Sequence, residues 1–135
     1  MKRLWVLLVL VVLVTGCASV STGGFEVSLS ENDGGAFKVR FDDKQLSREL
    51  TVEKAITHRG TSDFLSIQVV IRNASTGDYP MQYKFMFFDT YGLEVRSGDR
   101  GWEQKVLHGG EAVTLAAVAP DKAVSSVIVR VRRVN

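Results

Sequence analysis

The stretch Leu65-Ser-Ile-Gln-Val-Val-Ile-Arg-Asn73 alternates: Leu65, Ile67, Val69 and Ile71 recur at every second position, with Ser66, Gln68 and Val70 between them. A period of two puts those four side chains on one side of an extended strand, whereas a helix would scatter them round its axis. The run stops at Asn73-Ala-Ser-Thr-Gly-Asp78, a cluster of turn formers. Outward from this strand the same grammar repeats. Leu50, Val52 and Ile56 share one face of a preceding strand, with Lys54 interrupting. Met81, Tyr83, Phe85 and Phe87 alternate with Gln82 and Lys84 and run into Asp89-Thr-Tyr-Gly92. Val113, Leu115 and Ala117 follow Gly109-Gly110, and Val127, Val129 and Val131 close the chain. No stretch has the 3.6 period of an amphipathic helix. Short strands between regular turn signals predict an all-β sandwich or barrel.

At 135 residues the chain has room for one domain. Residues 25–30 and 36–41 read as two strands around Glu31-Asn-Asp-Gly-Gly35, a hairpin or an extended lead-in covering 25–43, with the sandwich expected over 44–135. Further upstream, Lys2 and Arg3 precede an apolar run at 4–14, and small residues follow it. That is the layout of a secretory signal, and the run is about half the roughly 20 residues a membrane-spanning helix needs. The signal is expected to occupy 1–16 and to be removed.

Export changes the charge balance. The whole chain has 17 Lys and Arg against 15 Asp and Glu, a net charge of +2. Lys2 and Arg3 leave with the signal, so 17 − 2 leaves 15 bases against 15 acids. Nucleic-acid binding, which needs clustered cations in excess, is therefore not expected. The remaining basic cluster is Arg130, Arg132 and Arg133.

Cys17 is the single cysteine, so no disulfide within the chain can staple the fold. Val14-Thr-Gly-Cys17 resembles the lipobox of bacterial lipoproteins, in which the cysteine thiol receives a diacylglycerol and becomes the new N-terminus. That resemblance implies a membrane anchor at Cys17 through two or three acyl chains, enough for stable attachment. The small polar stretch 17–24 would be its tether. Ala18 is not the aspartate that holds many such lipoproteins at the inner membrane, so the expected address is the periplasmic face of the outer membrane.

No catalytic constellation emerges. His58 and His108 lie in separate segments without a further ligand at zinc spacing. There is no nucleophile elbow, phosphate loop or dinucleotide fingerprint. Asp42 with Asp43, and Glu31 with Asp33, lack the oxygen spacing of a calcium loop and read as solvated turn carboxylates. Asn73-Ala-Ser75 matches a glycosylation acceptor that a bacterial envelope would not ordinarily use. No enzyme activity, cofactor or metal is expected. Four residues bear on a partner instead. Met86 and Phe88 lie opposite Phe85 and Phe87, so that end of the strand is either covered by another segment or forms an exposed apolar patch. Arg130 and Arg132 share the face opposite the terminal valines, either solvated or gripping an anionic polymer. Trp102 reads as core packing or as a ligand-stacking surface.

At 83–92 the sequence resembles the YcfL-like family of envelope lipoproteins. The resemblance rests on Arg72-Asn73 ending a strand, the aromatic strand from Tyr83 into the Asp89-x-x-Gly92 turn, Trp102, and Ala119-Pro120 with Ala123 after it. It covers roughly 44–133. Met86-Phe87-Phe88 departs from it, standing where a tryptophan and a tyrosine would precede the aspartate. The resemblance implies an immunoglobulin-like β-sandwich of about seven strands and no activity. Members tend to be encoded near lipoproteins that assist peptidoglycan synthases. Asp89 and Gly92 have a physical reading of their own, a carboxylate accepting backbone hydrogen bonds in a turn and a residue free to take positive φ. The expected function is a lipid-anchored, non-enzymatic module that presents a sheet or edge to an envelope protein. The alternatives are a binder of peptidoglycan or another anionic glycan, and a structural tether in a secretion or envelope complex.

Overall fold

A computed structural model describes residues 25–29, 35–96 and 101–134, the first of these as backbone. Cys17, the tether and the Glu31/Asp33 pair lie outside the described residues. The elements run β1 (Phe25–Leu29), β2 (Ala36–Phe41), α1 (Leu46–Glu49), β3 (Leu50–Arg59), β4 (Leu65–Asn73), β5 (Tyr79–Asp89), β6 (Glu103–Leu107), β7 (Ala112–Val118) and β8 (Val124–Arg133). Five strands form one sheet in the order β1-β2-β8-β5-β6, and three form the other as β3-β4-β7.

The alternating side chains explain why the sheets stack. Leu65, Ile67, Val69 and Ile71 of β4 are buried, as are Met81, Phe85 and Phe87 of β5, and Val127, Val129 and Val131 of β8. Their outward neighbours stay wholly or partly solvated. Each buried aliphatic or aromatic side chain contributes about 1.5–3 kcal/mol relative to exposure. Phe85 stacks on Phe87 with ring centres 6.5 Å apart, and Tyr83 meets Phe85 edge-on at 6.0 Å. α1 is one turn, begun where the Leu46 N–H donates to Asp43 Oδ1 at 2.9 Å, and it drops Leu46 into the core.

The connections match an immunoglobulin domain. β3-β4-β7 correspond to its A-B-E sheet and β6-β5-β8 to C′-C-F. The place of strand G beside β8 is held by β2, which comes from the start of the domain and runs parallel to β8, from Ala36↔Ser126 to Phe41↔Val131. β2 buries Phe37, Val39 and Phe41. β2 is therefore part of the sandwich, eight residues before position 44, where the sequence reading opened the domain. No local signal marks this, because β2's main partner lies at the far end of the chain. β1 pairs antiparallel with β2 from Phe25↔Phe41 to Leu29↔Phe37. Among the described residues the strands number eight with β1, and seven lie from Ala36 onward.

Gly35 makes the entry to β2 possible. It sits at φ +139, and a Cβ there would lie 2.4 Å from the Ser125 carbonyl oxygen. β3 departs from the sequence reading. Its pairing with β4 slips between Val52 and Lys54, a β-bulge that reverses which side each later residue faces. Ala55 and Thr57 therefore turn inward, while Ile56, expected beside Leu50 and Val52, points outward at 37% exposure.

Candidate binding face on the five-stranded sheet

The outward face of the larger sheet gathers cations and one indole. Strand register places Arg40, Arg130 and Lys84 side by side on β2, β8 and β5. Like charges directly opposed across a sheet are unfavourable unless something answers them. Asp42, just past the end of β2, accepts from both Nε and Nη2 of Arg130, at 3.3 Å and at 3.0 and 2.9 Å. β1 places Glu26 as the Cα partner of Arg40. Lys38 lies one row along, beside Ile128, which in turn neighbours Met86.

Trp102, immediately before β6, leans across this face. The Arg132 guanidinium carbon lies 3.9 Å from its ring centre and that of Arg130 lies 5.4 Å away. Arg132 also donates from Nε to Gln82 Oε1 at 2.8 Å, which orients the guanidinium plane. Cation–π contacts at such half-exposed sites contribute about 0.5–1 kcal/mol each. Trp102 is thus half-buried under arginines on the outside of the sandwich, and it is absent from the core between the sheets. Met86 and Phe88 are likewise half-buried. Phe88 pairs with Glu94, and Val95 N–H donates to the Phe87 carbonyl at 2.7 Å, so the chain after the turn runs back along the end of β5.

The remaining sequence-marked residues lie elsewhere and build loops. Asp89 Oδ1 accepts from the N–H groups of Tyr91 and Leu93, each at 2.9 Å, while Gly92 takes φ +79. Pro120 is half-buried at the bend after β7. Asn73 is fully buried. Its Nδ2 donates to the carbonyls of Gly77, Leu107 and His108 at 2.7, 3.1 and 3.2 Å, and its Oδ1 accepts from Ser75 N–H and Oγ. One amide therefore ties the β4–β5 loop to the β6–β7 loop, and its side chain is too enclosed to serve as a glycan acceptor. Gly109 completes the join: a Cβ there would lie 2.4 Å from the Thr76 carbonyl oxygen.

Two titratable side chains make close ionisable pairs in the loops and at the sheet edge. His108 Nδ1 lies 2.9 Å from Asp78 Oδ1, and that hydrogen bond, with the aspartate charge, raises the imidazole above its ordinary 6.5. The pair is well exposed. Tyr83 Oη donates to Glu103 Oε2 at 2.7 Å. Burial first, then that carboxylate, pushes the phenol up to about 12, so it holds its proton. Asp42 and Asp43, weighed as a cation pair, are engaged by Arg130 and the α1 backbone. Among the described residues no group of three metal-binding side chains comes together.

Sequence reasoning put Arg130 and Arg132 on one outward face and joined them with Trp102 only in the glycan-binding alternative, and it missed Arg40, Lys38, Lys84 and Asp42 as their neighbours. Alternation of Lys38 and Arg40 with buried Val39 and Phe41 was a local signal. Their placement beside β8 was not readable.

Fold and face together define an immunoglobulin-like β-sandwich with a basic, tryptophan-bearing outer sheet. Residues 37–133 match the family model described as protein of unknown function (DUF1425), and the chain belongs to that family. Among solved structures, the Campylobacter jejuni protein cj0090 is similar at 18% identity and TM-score 0.61, covering 71% of this chain and 97% of that one. A DUF1425 family member from Shewanella sp. pv-4 is similar at 23% identity and TM-score 0.58, covering 85% and 94%. No curated protein matches the sequence. The family match begins within β2, which agrees with β2 being an integral strand.

Proposed function

We propose that this chain is a YcfL-like envelope lipoprotein, anchored through lipid on Cys17 at the periplasmic face of the outer membrane, whose sandwich is a non-enzymatic binding module for an envelope protein. The observation that carries the reading is the gathering of Trp102, Arg130 and Arg132 on one outer sheet face. Tryptophan and arginine are the side chains most enriched at the energetic centres of protein interfaces. The half-buried Met86 and Phe88 extend the same face with apolar area. The test is affinity purification of the full-length chain from solubilised envelopes. The wild type is expected to bring down one protein in stoichiometric amount, and Trp102→Ala with Arg132→Ala to lose it. An equal yield with both substitutions contradicts the assignment of the face.

The row Arg40–Arg130–Lys84 favours a second reading, binding of a carboxylated glycan such as peptidoglycan. Three adjacent cations beside an indole suit a polymer with carboxylates and a sugar face. Pull-down with purified sacculi separates the readings: glycan binding is expected to fall with Arg130→Ala plus Arg132→Ala, and unchanged retention rejects that site.

A further inference from the structure

We propose that the outer edge of β7 pairs with β7 of a second copy of this chain, joining two three-stranded sheets into one of six strands. Two hydrogen bonds settle which backbone groups of β7 are spoken for. Ala119 N–H donates to the Leu65 carbonyl and Asn73 N–H to the Glu111 carbonyl. In an antiparallel ladder, bonded positions alternate, so the odd-numbered residues of β7 face β4. Ala112, Thr114, Ala116 and Val118 aim their N–H and C=O groups at the other side, where no strand sits among the described residues. Their side chains are solvent-exposed, Val118 at 50%.

Proteins blunt such edges with charges, prolines, bulges or short strands. The other open edges of this molecule carry those devices. β6 is five residues long and includes Glu103 and Lys105; β3 has Glu53, Lys54 and Arg59 with a bulge; β1 is five residues with Glu26. β7, with sequence AVTLAAV, has seven residues and no charge, proline or bulge.

A second copy is the occupant the sequence of β7 fits. A two-fold axis at Leu115 sets Ala112 opposite Val118 and Thr114 opposite Ala116, with the free groups of each pair facing one another. Small side chains on the exposed face let the strands lie flat, and self-pairing opposes no like charges. Pro120 falls opposite Gly110 just beyond the ladder and ends it. The interface lies on the smaller sheet and leaves the Trp102 face open, so it stands or falls independently of the proposed partner-binding role.

Sedimentation of the full-length chain in detergent micelles tests the pairing. The wild type is expected to be dimeric. Thr114→Lys with Ala116→Lys opposes lysine to lysine across the axis and is expected to weaken association roughly ten-fold or more. Thr114→Lys with Ala116→Glu opposes unlike charges at the same positions and is expected to dimerise again. Circular dichroism melting of both variants reports that the fold persists. A monomeric wild type, or a Lys/Lys variant as dimeric as the wild type, overturns the proposal.

Discussion

At the scale of single residues, Asn73 sets the stiffest constraint. Truncating it takes the Nδ2 donor from the buried Leu107 carbonyl and from the part-buried carbonyls of Gly77 and His108, which keep Ser75 Oγ and Glu111 N–H, and a buried group left without a partner costs about 1–3 kcal/mol. Asn73→Ala is expected to lower stability by about 2–4 kcal/mol in urea denaturation, and Asn73→Asp to fare no better, because a carboxylate cannot donate. Asp89→Ala removes acceptors at an exposed turn and is expected to cost only about 1 kcal/mol. A destabilisation at Asp89 equal to that at Asn73 would contradict this ordering. His108 supplies a pH signature. Its folded pKa is raised by Asp78, so the pair's contribution to stability is complete below about 6.5 and is lost as pH climbs through the higher folded value. Asp78→Asn is expected to bring the imidazole midpoint, read by NMR titration, back towards 6.5.

At the scale of elements, the parallel strand β2 is the part most dependent on the rest of the chain. Gly35→Val adds a branched side chain where even a Cβ meets the Ser125 carbonyl, at a positive φ that β-branched residues avoid. It is expected to loosen β2 from β8, seen as faster amide exchange at Val39 and Val129 before β3 and β4 are affected. Exchange rising uniformly over all strands would contradict that order.

The element scale also separates what is legible in the sequence from what is not. β4, β5 and β8 show their inward faces directly, because unbroken alternation over many residues admits one assignment of sides. β3 misleads at Ile56, since a bulge changes parity without leaving a mark beyond Lys54. β2 looks detachable because its apolar triplet, Phe37, Val39 and Phe41, gives no hint of a partner some ninety residues away. The candidate face has the same character. Arg130 and Arg132 declare an outward side, and Trp102 is conspicuous, but their meeting depends on the order β8-β5-β6, which no local pattern encodes.

At the scale of the whole molecule, two sheets with different outer faces suggest a division of labour. The five-stranded sheet carries Trp102 and the arginines, and the three-stranded sheet carries an uncharged edge. The proposed anchor at Cys17 adds a membrane to one end and leads to its own expectation. An alkyne-labelled fatty acid is predicted to enter the wild type, and Cys17→Ser to abolish both labelling and membrane retention. A serine variant that stays membrane-bound would defeat the lipoprotein reading.

The central claim, that the outer face of the five-stranded sheet is where this protein meets its partner, is tested most directly by site-specific photo-crosslinking in living cells. A photoreactive residue replacing Gln104, beside the Trp102 cluster, is compared with one replacing Gln68 on the exposed face of β4. The account predicts one discrete crosslinked protein from position 104 and none in common from position 68. The same product from both positions, or a crosslink to a different protein from 68 alone, would contradict it.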